Sequence, residues 1–529
     1  MVERRLGALP AVAGFLRRLD VAGVIDALCP IRDLADLTHG QVVEAAIANR
    51  LTAPAPLYKM GRWAGCWAVR EVFGIEPALL NDDRLGRALD AIAPHVEAIT
   101  GSVGATAITE FGIDVARCHW DMTSISMYGA FEDQDEAFAQ VKYGHPKDRR
   151  VDLKQLQAGI AVTGDGGIPV LARAYDGGAG EVAQVVGAMN ALREMAGRKD
   201  FLLVADSKLV SYPNISALLA AGVGFVAPVP AAKIPDAVYA ALDVNQAIEV
   251  PYTPLREAGR NPARRGTYRV IEDVHLLAGP RTSDPPHTLR RILVHSSGNA
   301  EGQRTARAKK LARAREELDK LSAGAGGHYY PTRDKVTARL GVIAGKHRVA
   351  GYLRTELTED ETGKPLLAWH FDQQAIDAQA AADGWYALIT NLPADIEATQ
   401  VFLRYKGQAV VERRYGEFKG PLAVAPMFLH NNRRITALLT VITLALLVYC
   451  LIERQVRQAL GPTQTMRGLH SDNRAVRPTG RLILDTLDTL TLRPASTTDP
   501  PAILVSRGIQ AHLLELLGTD ETRPRWLQT

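Results

Sequence analysis

"CHWDMTSISMYG", residues 118–129, reads as a strand with one acid, Asp121, set among residues of an apolar core. A carboxylate in that position must be paired, hydrogen-bonded or bound to a metal. The segments that follow it decide the fold. "LQAGIAVTGDGGIPVLARAYDG" (156–177) is two apolar runs around Gly-Asp-Gly-Gly, the pattern of a hairpin. A helix is predicted over roughly 181–197, then a short apolar strand, "FLLVADS" (201–207). A helix near 215–221 and a strand, "GFVAPVP" (224–230), complete the series. This order predicts an α/β fold with a mixed sheet and helices on its faces. A second acid, Asp206, ends the "FLLVAD" strand, also at the edge of a core. Singly, each acid has an ordinary explanation: a hydrogen-bonded core acid for Asp121, and a strand-end cap of the next turn for Asp206.

Outward from this segment the chain changes character. Residues 1–112 read as a helical N-terminal domain. "THGQVVEAAIANRL" (38–51) opens with Thr38 as N-cap and Gln41 three residues on, a capping-box pattern. The 529 residues allow two to four domains, and 47% hydrophobic with 23% charged residues is an ordinary soluble profile. A net charge of +4 neither demands nor excludes a nucleic-acid partner, so local clusters must decide. Four cysteines without CxxC spacing argue against a disulfide framework or a zinc knuckle and suit a reducing compartment. "MVERRLGALP" has no signal-peptide run, so a cytoplasmic protein is expected. "ALLTVITLALLVYCLI" (437–452) is shorter than the ~20 residues of a bilayer span. It is expected to be a buried core helix, with no membrane partner.

"YKGQAVVERRYGEFKG" (405–420), taken as one helix, puts Tyr405, Gln408, Glu412 and Lys419 on a single stripe beside an apolar one of Val411, Tyr415, Phe418 and Leu422. A solvated face with a Glu-Lys pair is the plain explanation of the polar stripe. Glu412 joins Asp121 and Asp206 in a different one. Three carboxylates from two strands and a helix can hold two divalent cations ~4 Å apart, an arrangement that cuts and rejoins phosphodiesters. All-oxygen ligands suit hard cations rather than zinc.

These residues resemble the DDE transposases of bacterial insertion sequences, in the IS-four superfamily with a Tyr-Arg-Glu-Lys signature. Tyr405, Glu412 and Lys419 match that signature in type and spacing, with Gln408 in the arginine position. "WDMTS" (120–124) and "VADSKL" (204–209) match the two aspartate motifs, and "YGHPKDRRVDLKQ" (143–155) resembles the IS sixteen-thirty-four type. The resemblance covers about residues 8–490. It implies an RNase H-like core interrupted by an insertion, with Asp121, Asp206 and Glu412 as catalytic ligands of two Mg2+ (or Mn2+) ions. It also implies that Tyr405, Gln408 and Lys419 contact DNA. The domains would be 1–112, 113–228 (core, first part), 229–396 (insertion), 397–460 (core, second part, with the glutamate helix) and a C-terminal extension, 461–529.

The insertion is basic. Arg256, Arg260, Arg264, Arg265 and Arg269 fall close together, and "RTARAKKLARAREELDKL" (304–321) reads as a helix with Arg304, Arg307, Lys310 and Arg313 at i, i+3 spacing. Such a row would track a phosphate backbone, or it is a solvated helix face. Leu311 and Leu318 imply that another face docks. Trp385 reads as a strand-packing residue, and His145 and Lys147 as loop residues that could approach DNA. The function expected is cleavage of element ends and joining of their 3′-hydroxyls to target DNA, by a homodimer on double-stranded DNA. An RNase H-like nuclease without strand transfer and a DNA-binding-only relative are the alternatives.

Overall fold

Asp121 lies in β1, Arg117–Met127, and the neighbours of this strand define the sheet. The computed structural model describes residues 4–519 except 32–34, 133, 146–148, 198–200, 255–256, 423–426, 428, 462–463, 494–501 and 506–507. The chain forms two compact units, Met1–Phe225 with Gly407–Thr529, and Val226–Lys406.

In the first unit β1 pairs antiparallel with β2, Lys154–Thr163. β2 pairs antiparallel with β3, Pro169–Tyr175. The chain then crosses through helix α1, Glu181–Ala196, and returns to the other edge of β1 as β4, Leu202–Val204, in parallel. Helix α2, Tyr212–Ala220, leads to β5, Gly224–Pro228, and the order is β3-β2-β1-β4-β5. Two antiparallel pairings followed by a parallel return beside the first strand is the RNase H-like order. β1 and β2 are buried along nearly their whole length, so they read as almost continuous apolar or small-residue runs rather than alternating ones. Gly159 in β2 makes room for the Trp120 indole: a Cβ there would sit 2.3 Å from the ring.

The long apolar run forms the middle of helix α7, Asn432–Leu460. It is long and apolar enough to cross a membrane, yet every residue of its most apolar window is buried inside the protein. It shares one core with the N-terminal helices, among them Leu9–Arg18 and His39–Thr52, and with helix α6, Ala409–Lys419. The capping box at Thr38 is present: Gln41 N donates to Thr38 Oγ1 (3.0 Å) and Thr38 N to Gln41 Oε1 (2.9 Å). The C-terminal segment belongs to the same unit. Helix α8, Gly480–Leu487, contributes Ile483 and Leu487 to that core, and strand Thr491–Arg493 pairs with Arg4–Arg5. The helical N-terminus, the core and the C-terminal extension, which the sequence separates into domains, thus share one body.

In the second unit the strand order is β11-β8-β7-β6, where β6 is Ile248–Val250, β7 Tyr268–Leu277, β8 His287–Ser296 and β11 Trp385–Thr390. Helices α3, Ser297–Gly324, and α4, Arg333–His347, pack with the hairpin of β9, Leu353–Glu359, and β10, Pro365–Phe371. Leu318, Leu321, Val336, Ile343 and Val349 form their core, with Leu311 packed against it. Helix α5, Ala398–Lys406, ends the unit. Trp385 is buried, its ring edge-on to His295 at 5.1 Å, which is the packing role read from the sequence.

Candidate metal centre

The register of β1 against β4 brings the two aspartates together. His119 lies opposite Val204. Asp121 stands two residues further along β1, and Asp206 two residues past the end of β4. The β1–β4 pairing ends at this point. The amide of Met122 donates to Asp121 Oδ1 (2.8 Å) and to Glu181 Oε1 (3.2 Å). Asp206 caps the short turn Ser207–Leu209, its Oδ1 accepting from Lys208 N at 2.9 Å. This is the turn-capping role, and it leaves the acid at the mouth of the strand pair.

The third acid here is Glu181, the buried first residue of α1. One ligand oxygen each from Asp121, Glu181 and Asp206 lies within 4.8 Å of the other two. Oxygens on opposite sides of one magnesium ion are about 4 Å apart, so the spacing fits a shared small cation after slight tightening. The donor set is all carboxylate, which favours Mg2+, Mn2+ or Ca2+ over zinc. The Lys208 ammonium forms an ion pair with Glu181. Burial opposes its charge, but the hydrogen bond to Glu181, with Asp206 and Asp121 nearby, leaves its pKa raised.

Glu412 is outside this group of three; it is exposed on α6. The stripe from Tyr405 to Lys419 is not one helix. α5 ends at Lys406, Gly407 and Gln408 form a turn, and α6 begins at Ala409. The glycine breaks the helix, so Tyr405 belongs to the second unit and the other three residues to the first. There Tyr405 neighbours Lys406, whose ammonium lies over the rings of Tyr268 (4.6 Å) and Phe402 (5.1 Å).

Three residues of the region lay α6 along β1. Gln408 is buried: its Oε1 meets His119 Nδ1 (3.2 Å) and its Nε2 donates to Trp120 O (3.3 Å). Both halves of the amide are thus engaged by β1. An amide oxygen only accepts, so Nδ1 of His119 carries the proton. Burial pushes the His119 pKa down to about 4, against the help of Gln408, so the ring is neutral. Tyr415 donates from its hydroxyl to Asp121 O, and Lys419 Nζ donates to Ser124 O at 2.7 Å. From the helix's other side buried Arg414 donates to Gly167 O (3.0 Å) and to Glu453 of α7 (2.9 Å). Glu412 lies within about 60° of Gln408, Tyr415 and Lys419 around the helix, at the exposed margin of the face that meets β1.

On α3 the basic row divides. Arg304, Lys310 and Arg313 are exposed, Arg304 beside Glu301 at 3.1 Å. Arg307 is only 11% exposed and grips Asp383 with both terminal nitrogens. The two form a structural ion pair. In the upstream cluster, Arg265 donates to Arg260 O and Ala258 O, and Arg269 pairs with Glu249. Arg260 stands 3.7 Å from Glu257, and Arg264 is exposed. Arg256 and Lys147 lie outside the described residues, and His145 is exposed.

Glu181 has no sequence signal of its own. It follows a Gly-rich turn and lies 60 residues from Asp121 and 25 from Asp206. Only the crossover from β3 to β4 brings it home.

Residues 1–98 match a family described as "Domain of unknown function (DUF4277)". No curated protein matches the chain. Among solved structures, a piggyBac transposase in a synaptic complex with hairpin DNA aligns over 100% of this chain and 86% of its own. The TM-score is 0.38 and the identity 9%, too loose a likeness for any residue-by-residue correspondence.

Proposed function

We propose that this chain is a DDE-type DNA transposase of the IS-four superfamily, acting on double-stranded DNA with Mg2+ or Mn2+. The observation that carries the reading is the convergence of Asp121, on β1, and Asp206, just past the end of the parallel neighbour β4, in an RNase H-like order with a third acid in reach. The motifs around both aspartates and the Tyr405, Glu412 and Lys419 spacing support it.

Asp121, Asp206 and Glu181 fit a hard divalent cation, and Glu412 adds a ligand from the margin of α6 when DNA is bound. Bound divalent cations supply activation of the attacking oxygen and neutralisation of charge on the phosphate. Positioning is the chain's own part. Gln408 and Tyr415 fix α6 against β1, the strand that carries Asp121. Lys419, anchored on Ser124 O, brings its positive charge to a phosphate beside the cut. Tyr405 contacts DNA, and Arg304, Lys310 and Arg313 follow the backbone. Two element ends require at least two protomers.

The test is a single-turnover reaction on labelled duplexes taken from the inverted repeats that bracket the coding sequence. Cutting followed by joining of the 3′-end to a target supports transposition. A nuclease cuts and never joins, and a binding-only relative does neither. Asp121→Asn serves as the inactive control.

A further inference from the structure

Lys208 is tied to two of the three acids in different ways. Its backbone amide donates to Asp206 Oδ1 (2.9 Å), and its ammonium bonds Glu181 Oε2. Asp121 and Glu181 are buried, whereas the Lys208 side chain is 45% exposed. Carboxylates gathered in a buried place need a counter-charge. In the protein alone the ammonium supplies part of it. A divalent cation shared by the three acids competes with the ammonium for the Glu181 carboxylate, and it repels the positive charge held beside it. The lysine stem is flexible and its head already reaches solvent, so it can swing out without repacking the core.

We propose that Lys208 is a resident counter-ion: it holds Glu181 against Asp121 and Asp206 in the metal-free protein, and it yields Glu181 to the entering divalent cation. The inference rests on the metal-dependent reading above. Lys208 is then a positioning residue that keeps the acids gathered and sets a threshold for metal entry. Glu181 is a ligand only once the lysine has left.

The experiment is titration of the full-length protein with Mn2+ by calorimetry, without DNA. Lys208→Met keeps the backbone amide and the length of the side chain while removing the charge. It should bind Mn2+ about two- to fivefold more tightly, the range set by half-exposed ion pairs. Lys208→Arg should stay near wild type. Glu181→Gln should bind more weakly, and adding Lys208→Met to it should bring no further tightening, because the two residues act as a pair. Thermal unfolding of each variant confirms that it is folded. Unchanged or weaker Mn2+ binding by Lys208→Met overturns the proposal, and the exposed position of that residue makes its folding safe. If Asp121→Asn binds Mn2+ as wild type does, the metal site itself fails, an outcome distinct from failure of the counter-ion role.

Discussion

The Tyr415 hydroxyl donates to the backbone carbonyl of Asp121 at 2.5 Å and accepts from the amide of Ile160 at 2.9 Å. Asp121 and Ile160 lie opposite each other in the β1–β2 ladder. The phenol of α6 therefore enters the sheet at the residue that carries the first acid. Burial holds its pKa well above the ordinary phenol value, so the group stays a donor. Positioning of the acids and stability of the sheet are joined at this one side chain.

Tyr415→Phe should consequently destabilise the first unit. It leaves the buried Ile160 amide without the hydroxyl it donates to, a loss of about 1–3 kcal/mol. Urea unfolding measures it. A change below ~0.5 kcal/mol would mean that the ladder closes directly between Ile160 and Asp121, and that the phenol is dispensable.

Asp121→Asn, Asp206→Asn and Glu412→Gln are each expected to abolish strand cleavage while leaving binding of element ends nearly unchanged. Each removes a ligand charge and keeps shape. Single-turnover cleavage with gel-shift binding reads both effects. Near-normal cutting by Glu412→Gln, with loss in Glu181→Gln, would make the buried glutamate the third ligand of the reaction and leave Glu412 a surface residue.

Much of the core was legible because its signals are local. The hairpin at residues 156–177, the strands around Asp121 and Asp206, and the cap at Thr38 depend on alternation and turn chemistry within about twenty residues. What escaped depends on partners far along the chain. Arg307 sits in a basic row, yet Asp383 neutralises it from 76 residues away. Gln408 occupies a signature position, yet His119 and Trp120 bury it. Gly407 is a visible helix breaker, but the helical periodicity of the residues on either side masks it. Glu181 belongs to no motif, and its place follows only from the crossover.

Glu44, on the helix His39–Thr52, should make stability depend on pH in an unusual direction. Burial raises its pKa to about 7, with Asp26 and Asp20 adding to the rise and a backbone hydrogen bond from Ala22 and the charge of Arg17 opposing it. The folded protein then holds a proton that the unfolded chain releases near pH 4.5. Stability from this group is fully present below pH 4.5 and is lost as pH rises to about 7, by roughly 3 kcal/mol at most. Glu44→Gln should remove that slope and raise the melting temperature at pH 8 more than at pH 5. Melting curves at the two values decide it, and equal shifts at both would place the Glu44 carboxyl in water.

The two kinds of cation on α3 should respond differently to replacement. Arg304, Lys310 and Arg313 are exposed, and backbone contacts of this kind carry little sequence information. Replacing all three with alanine should weaken binding of any duplex about equally. It should also reduce the slope of log K against log salt by ~0.9 for each phosphate no longer neutralised, about 2.7 in total. Arg307→Ala should do something else. Its partner Asp383 is only 10% exposed and would be left as an uncompensated acid in a nearly closed place. The second unit should lose roughly 3 kcal/mol of stability, with the salt slope of DNA binding unchanged so long as the protein is folded. Binding isotherms at several salt concentrations, beside urea unfolding, measure both. An unchanged slope in the triple variant would return the exposed row to solvent. A reduced slope in Arg307→Ala without a stability loss would mean that the Asp383 pair opens to DNA.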